Sequence, residues 1–292
     1  ELWSIFDFLM PQYLFNYHYF QKQYENDIIK NNDEEKTKQL KKLVTPFILR
    51  RNKKEVLTEL PDKIEQNIIL PFNDEEEKLY VANLAEVNKE LQELYDLEGS
   101  DKMQILKLLT RLRQLCLEPR LVYDNIDQPS SKLKACMELI KTMQENKQKV
   151  LLFSSFTSVL DLIAEECQKA GITYYMLTGS TNKEDRRELV SRFQKDDTTV
   201  FLISLKAGGT GLNLTSAEAV IHFDPWWNVS AQNQATDRAY RIGQKNNVQV
   251  FNLVMKDSVE EKIIELQKRK KELADMFVEN NSGGLSQMSK ED

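Results

Sequence analysis

The chain of 292 residues is 41% apolar and 29% charged, and its 46 Asp and Glu outnumber 40 Lys and Arg for a net charge of −6. That length can bury one large core or two smaller ones. A net acidic chain is not coated in basic surface, so any nucleic-acid contact has to come from a local patch. No apolar run approaches the roughly 18 residues that span a bilayer. The three cysteines, Cys116, Cys136 and Cys167, and the two histidines, His18 and His222, lie without ligand spacing, which points away from a disulfide framework or a metal site.

Taken in order, the chain opens with nine aromatics between Trp3 and Tyr24. This is more apolar surface than a short terminal segment buries by itself, and the expectation is a piece cut from a longer protein, its first residues belonging to a neighbouring core. Residues 27–49 are charged and helical in period, and the stretch 46–54 ends them with the basic cluster Arg50, Arg51, Lys53 and Lys54, which we read as bracing rather than nucleic-acid contact. An extended segment is expected at 64–70, between Pro61 and Pro71. Asn73, with Glu76 three residues on, is a capping-box start for a helix whose stripe is Leu84, Val87, Leu91 and Leu94. A second helix over 101–117 is expected to face Leu106, Leu109, Leu112 and Cys116 inward and to stop at Pro119.

Residues 123–131 are polar and carry Pro129, which marks the best domain boundary. The pattern then alternates: helix 132–144, strand 150–153, helix 159–169, strand 174–177, helix 183–194, strands 200–203 and 219–223, a helix from 228, and strand 248–254. Short strands alternating with helices imply a mostly parallel sheet covered on both faces, with ligands at the carboxyl ends of the strands. A last helix over 258–279 carries a heptad-like stripe, and 280–292 is polar and expected to be disordered. The expected domains are 1–70 as a mostly helical connector and brace, 71–130 as a helical insertion, 131–256 as the α/β lobe, 257–279 as a C-terminal bracing helix, and the tail.

The densest signal lies between Ser204 and Gln244. Strand 200–203 is followed at once by Lys206, Gly208, Gly209, Thr210 and Gly211. Glycines there let backbone N–H groups turn toward an anion, and Lys206 and Thr210 add a charge and a hydroxyl, although a simple turn has the same composition and neither G-x-G-x-x-G nor G-x-x-x-x-G-K-[ST] is present. From Asn228 to Arg241 no Gly or Pro occurs, so a helix is expected, capped by Asn228 or Ser230 and stopped at Gly243. Gln234, Arg238 and Arg241 then fall at i, i+4 and i+7 on one face. Two guanidiniums so close suit a polyphosphate; the plainer reading pairs them with Asp237 and Glu218.

Together these residues resemble the later motifs of the Swi/Snf family of helicase superfamily II double-stranded DNA translocases. Residues 205–214 resemble its fifth motif, Gln234 to Gln244 its sixth, with Tyr240 where many members carry His, and His222 to Asn228 with its Trp pair the segment between. Residues 1–14 resemble the stretch after the third motif, 47–60 the connector between lobes, and the helix pair the family's insertion. The resemblance implies a RecA-like α/β fold, the second lobe of an ATP-dependent translocase or remodeller. Arg238 and Arg241 would be arginine fingers, Gln234, Gly209 and Gly211 would line the nucleotide cleft, and Thr178, Gly179, Ser180, Lys206, Thr210 and Trp227 would touch the DNA backbone without base readout. ATP is the implied nucleotide and double-stranded DNA the implied partner, along with DNA-bound proteins. Mg²⁺ and the Walker residues would come from the protein's first lobe, since neither a Walker A loop nor D-E-x-H occurs in these 292 residues. The expected compartment is the cytoplasm (nucleoid) of a bacterium or the nucleus of a eukaryote. A stand-alone nucleotide-binding α/β domain and an RNA helicase lobe are the competing readings.

Overall fold

A computed structural model describes residues 2–31, 33–48, 60–96, 102–208 and 211–278. Expectations for the basic cluster at 50–54, for Gly209 and Thr210, and for the tail 280–292 lie outside the described residues. The chain forms two compact units, Glu1–Val56 with Arg269–Asp292, and Leu57–Lys268.

In the first unit α1 (Leu2–Leu9), α2 (Tyr17–Phe20), a π-helical turn (Gln21–Glu25), α3 (Asn26–Asn31) and α4 (Glu34–Val44) follow one another. Asn16 caps α2 by accepting from the Tyr19 amide, and Asp33 caps α4 by accepting from the Lys36 amide, each satisfying a donor that the first helical turn leaves unpaired. Phe6, Leu14, Phe20, Ile28, Leu40 and Val44 close a small core. It does not absorb all the aromatic surface, and Phe8 remains 85% exposed.

The second unit contains β1 (Lys63–Leu70), α5 (Asp74–Asp96), α6 (Lys102–Leu117), α7 (Ser131–Glu145), β2 (Val150–Ser154), α8 (Thr157–Lys169), β3 (Tyr174–Leu177), α9 (Lys183–Lys195), β4 (Val200–Ser204), α10 (Leu205–Gly208), β5 (Ala219–His222), α11 (Val229–Thr236), β6 (Val248–Met255) and the start of α12 (Val259–Val278). The strands form one sheet in the order β1-β6-β5-β2-β4-β3, and every pairing is parallel. The α/β architecture with helices on both faces is therefore as expected. The extended segment at 63–70, which the sequence did not assign to any sheet, is its edge strand, paired from Lys63↔Val248 to Leu70↔Met255.

Alternation along each strand builds two cores. Val150, Leu152, Leu202, Ile221 and Leu253 face one way, onto α7 and α8 through Leu133, Ile140, Leu160 and Ile163. Leu151, Phe153, Phe201, Ile203 and Val220 face the other way, onto Phe193 of α9, Ala207 of α10 and Ala235 of α11. The helical pair has its own core of Tyr80, Val87, Leu108, Leu112, Leu115 and Cys116 around Met255 of β6. Leu106 was expected there and is instead 54% exposed; Leu108 and Leu115 occupy the buried face, so the inward stripe lies to one side of the expected one. The capping box forms as read: the Asn73 side chain accepts from the Glu75 and Glu76 amides, while Glu76 accepts from the Asn73 amide at 3.1 Å and, with its other oxygen, from the Ser131 amide at 2.7 Å.

Candidate nucleotide and nucleic-acid site

Parallel strands carry their connecting turns to one edge, and the candidate residues that follow β3, β4 and β5 are delivered there. After β3, the Thr178 amide donates to the Thr181 hydroxyl at 3.1 Å, and the Thr178 and Ser180 hydroxyls meet at 2.8 Å. Asn182 caps α9, accepting from the Glu184 and Asp185 amides, so the hydroxyls of Thr178 and Ser180 are not occupied in capping. Gly179, Ser180 and, after β4, Lys206 are exposed. Gly211 is also exposed, with φ of +55°, a left-handed conformation open to glycine at little cost.

The arginine segment departs from expectation. Asn228 caps α11 by accepting from the Ser230 and Ala231 amides, but the helix stops at Thr236, five residues early. Beyond that point backbone amides turn to nearer carbonyls, Arg238 to Ala235, Ala239 to Thr236 and Arg241 to Ala239. The Arg238 carbonyl, which a continuing helix would give to residue 242, accepts from the Leu214 amide at 3.0 Å. The Ala239 carbonyl accepts from the Gln244 side chain at 3.2 Å. Ala235 and Ala239 are buried as the stripe predicted, and Gly243 turns the chain at φ of +101°.

Gln234 and Arg241 are exposed and Arg238 is half-buried, so a helical face no longer explains their placement, yet the two guanidiniums remain neighbours. Burial and the Arg241 charge beside it hold Arg238 below the usual arginine range, with Asp237 opposing. Arginine stays a cation through such a shift. Two neighbouring guanidiniums raise the local positive potential, and α10, which directly follows β4, packs against α11. The fold thus brings the segment after β4 and the arginine segment together. Among the described residues no group of three or more His, Cys, Asp or Glu is placed to hold a metal ion.

Several residues that the sequence did not single out hold this edge together. Asp224, 3% exposed, accepts from the Ser154 hydroxyl at 2.8 Å, the Ser155 amide at 3.0 Å, the Ser155 hydroxyl and, at 2.9 Å, the Arg113 guanidinium of α6. The Gln232 side chain accepts from the Trp226 amide at 3.2 Å and donates to Asn252 at 3.0 Å, while Gln267 of α12 donates to both Gln232 and the Trp226 carbonyl. His222 is buried, its Nε2 2.8 Å from the Thr236 hydroxyl. Burial pushes its pKa down to about 4, against the pull of Glu65 and Asp224. Gln232 and Thr236, at i and i+4 of α11, therefore meet the polar residues His222 and Asn252 of the sheet. Trp226 packs against the core beneath α11, and both Trp226 and Trp227 are half-buried. A charge at Arg113, set among the inward Leu112, Leu115 and Cys116, was the one legible sign of this arrangement.

Two family models match the chain: an SNF2-related domain over residues 1–121 and a helicase conserved C-terminal domain over residues 131–243. An uncharacterized ATP-dependent helicase of Mycoplasma pneumoniae is 39% identical over 274 residues, covering 94% of this chain and 26% of that protein. A putative ATP-dependent helicase/translocase of Bacillus subtilis is 37% identical over 291 residues, covering 97% of this chain and 31% of that one. The chain thus spans between a quarter and a third of the length of these relatives. The SWI2/SNF2 ATPase core of Sulfolobus solfataricus in complex with double-stranded DNA superposes with a TM-score of 0.62 at 34% identity, over 97% of this chain and 60% of that one.

Proposed function

This chain belongs to the SNF2 family, and from that membership we propose that it is the C-terminal motor portion of an ATP-dependent double-stranded DNA translocase or remodeller. The observation that carries the reading is the hydrogen bond from the Leu214 amide to the Arg238 carbonyl. It ties Leu214, three residues beyond Gly211, to the arginine segment.

Arg238 and Arg241 act on the terminal phosphate of ATP bound to the first lobe, stabilising charge that develops on its oxygens; arginine fingers contribute about 10³ to 10⁵ in rate. Gln234, Gly209 and Gly211 line the same cleft. A cleft that gains a charge partner closes, and one that loses it reopens. Thr178, Gly179, Ser180, Lys206, Thr210 and Trp227 hold the DNA backbone through hydroxyls, amides and one charge, which suits movement along any sequence. Mg²⁺ and the Walker lysine are assigned to the first lobe, and the 292-residue chain alone is expected to hydrolyse ATP negligibly. Its compartment is wherever duplex DNA is kept, the nucleoid or the nucleus.

The test is DNA-stimulated ATP hydrolysis by the protein containing both lobes. Arg241→Ala is expected to lower turnover by about 10³-fold or more while nucleotide affinity is largely kept. Unchanged turnover overturns the proposal, and stimulation by RNA but not duplex DNA replaces it with an RNA helicase.

A further inference from the structure

The Arg113 guanidinium is 5.0 Å from the ring centre of Phe156, 5.4 Å from that of Trp226 and 5.9 Å from that of Trp227. The same group donates to Asp224 and to the Ser155 hydroxyl, both at 2.9 Å, and is 7% exposed. One side chain from α6 thus meets an acid, a hydroxyl and three aromatic rings, all on turns that leave the carboxyl edge of the sheet. We propose that Arg113 is a positioning residue for the tryptophan turn: it is the plate that orients the rings of Trp226 and Trp227, and through it the helical pair α5–α6 and this turn move as one piece.

Anchoring α6 does not require such a group. Leu108, Leu112, Leu115 and Cys116 already bury that helix, and an ion pair withdrawn from water returns little net stability over apolar residues of the same size. The backbone of the turn is held separately, by Gln232 and Gln267 at Trp226. What remains for Arg113 to set is the aromatic side chains, and a planar, delocalised cation stacks on rings in a way an ammonium does not. The functional consequence rests on the reading that Trp227 touches duplex DNA: a partner that shifts α6 would then change the grip on DNA without touching it.

Replacing Trp3, the third tryptophan of the chain, by Phe leaves fluorescence that reports on this turn alone. Arg113→Lys keeps the positive charge opposite Asp224 and removes the plate. Acrylamide quenching of the indoles is expected to rise while far-UV circular dichroism is unchanged, and duplex affinity at low salt to weaken about fivefold to tenfold. Ser155→Ala, which removes one of the two anchors, is expected to give the same change to a smaller extent, and it serves alone if the lysine variant does not fold. Quenching equal to the parent in both variants overturns the inference, because a simple ionic staple would survive in the lysine form. If Trp227→Ala leaves duplex affinity unchanged, the DNA role of the turn falls, and the quenching result still decides whether Arg113 positions it.

Discussion

Lys132, the second residue of α7, is fully buried, and its Nζ lies 2.6 and 2.7 Å from the two oxygens of Glu260 in the first turn of α12, itself 1% exposed. Glu260 also accepts from the Met255 amide at 2.8 Å, and the ammonium stands 5.4 Å over the Phe223 ring. At an effective dielectric of about 20 the attraction at this separation is about 6 kcal/mol, opposed by a desolvation cost of several kcal/mol per ion. Removing one partner leaves that cost uncompensated, so Lys132→Met and Glu260→Gln should each lose about 3–5 kcal/mol at neutral pH.

Burial already pushes the Glu260 carboxyl above its ordinary value, with Lys132 opposing. Without Lys132 the folded state keeps a proton that the unfolded chain releases, so stability of Lys132→Met should fall as pH rises above about 4.3, by up to about 1.4 kcal/mol per unit. The double variant should lose that slope and cost less than the sum of the singles. Urea unfolding from pH 5 to 9 reads all three. Single variants that each cost under about 1 kcal/mol, or stability of Lys132→Met that does not fall with rising pH, would refute the account.

His222, whose pKa falls from the ordinary 6.5 to about 4 on burial, binds fewer protons folded than unfolded between those values. Stability is therefore lost as pH falls through that window, by at most about 3 kcal/mol, and His222→Gln should flatten this part of the curve relative to the parent; parallel curves would exclude His222 as the source. Gln244 donates to the Ala217 carbonyl at 2.8 Å and accepts from the Lys245 and Asn246 amides, so Gln244→Ala should cost about 1–3 kcal/mol and speed amide exchange over 238–246, an outcome that unchanged protection there would contradict. Because Arg241 only adds to the electrostatic load on Arg238, Arg241→Gln should leave the thermal midpoint of this chain unchanged or slightly higher; a marked drop would show that Arg241 holds the fold rather than awaiting a ligand.

Much of the architecture could be read locally. Strands of Val, Ile, Leu and Phe at 150–154 and 200–204 are buried on both faces, so their apolar runs announce a parallel sheet without further help. The Asn73 box needs only neighbours three residues apart. The glycines after β4 and the paired arginines were legible for the same reason, being short patterns in residue type. What required the tertiary structure was every feature whose partner is distant along the chain. β1 becomes a sheet edge only because β6, nearly two hundred residues on, offers it a ladder. The segment after α11 is held by Leu214, whose amide donates to the Arg238 carbonyl, a partner that helix propensity does not contain. Arg113 is one arginine in an amphipathic helix until Asp224, 111 positions later, supplies the countercharge that makes its burial tolerable.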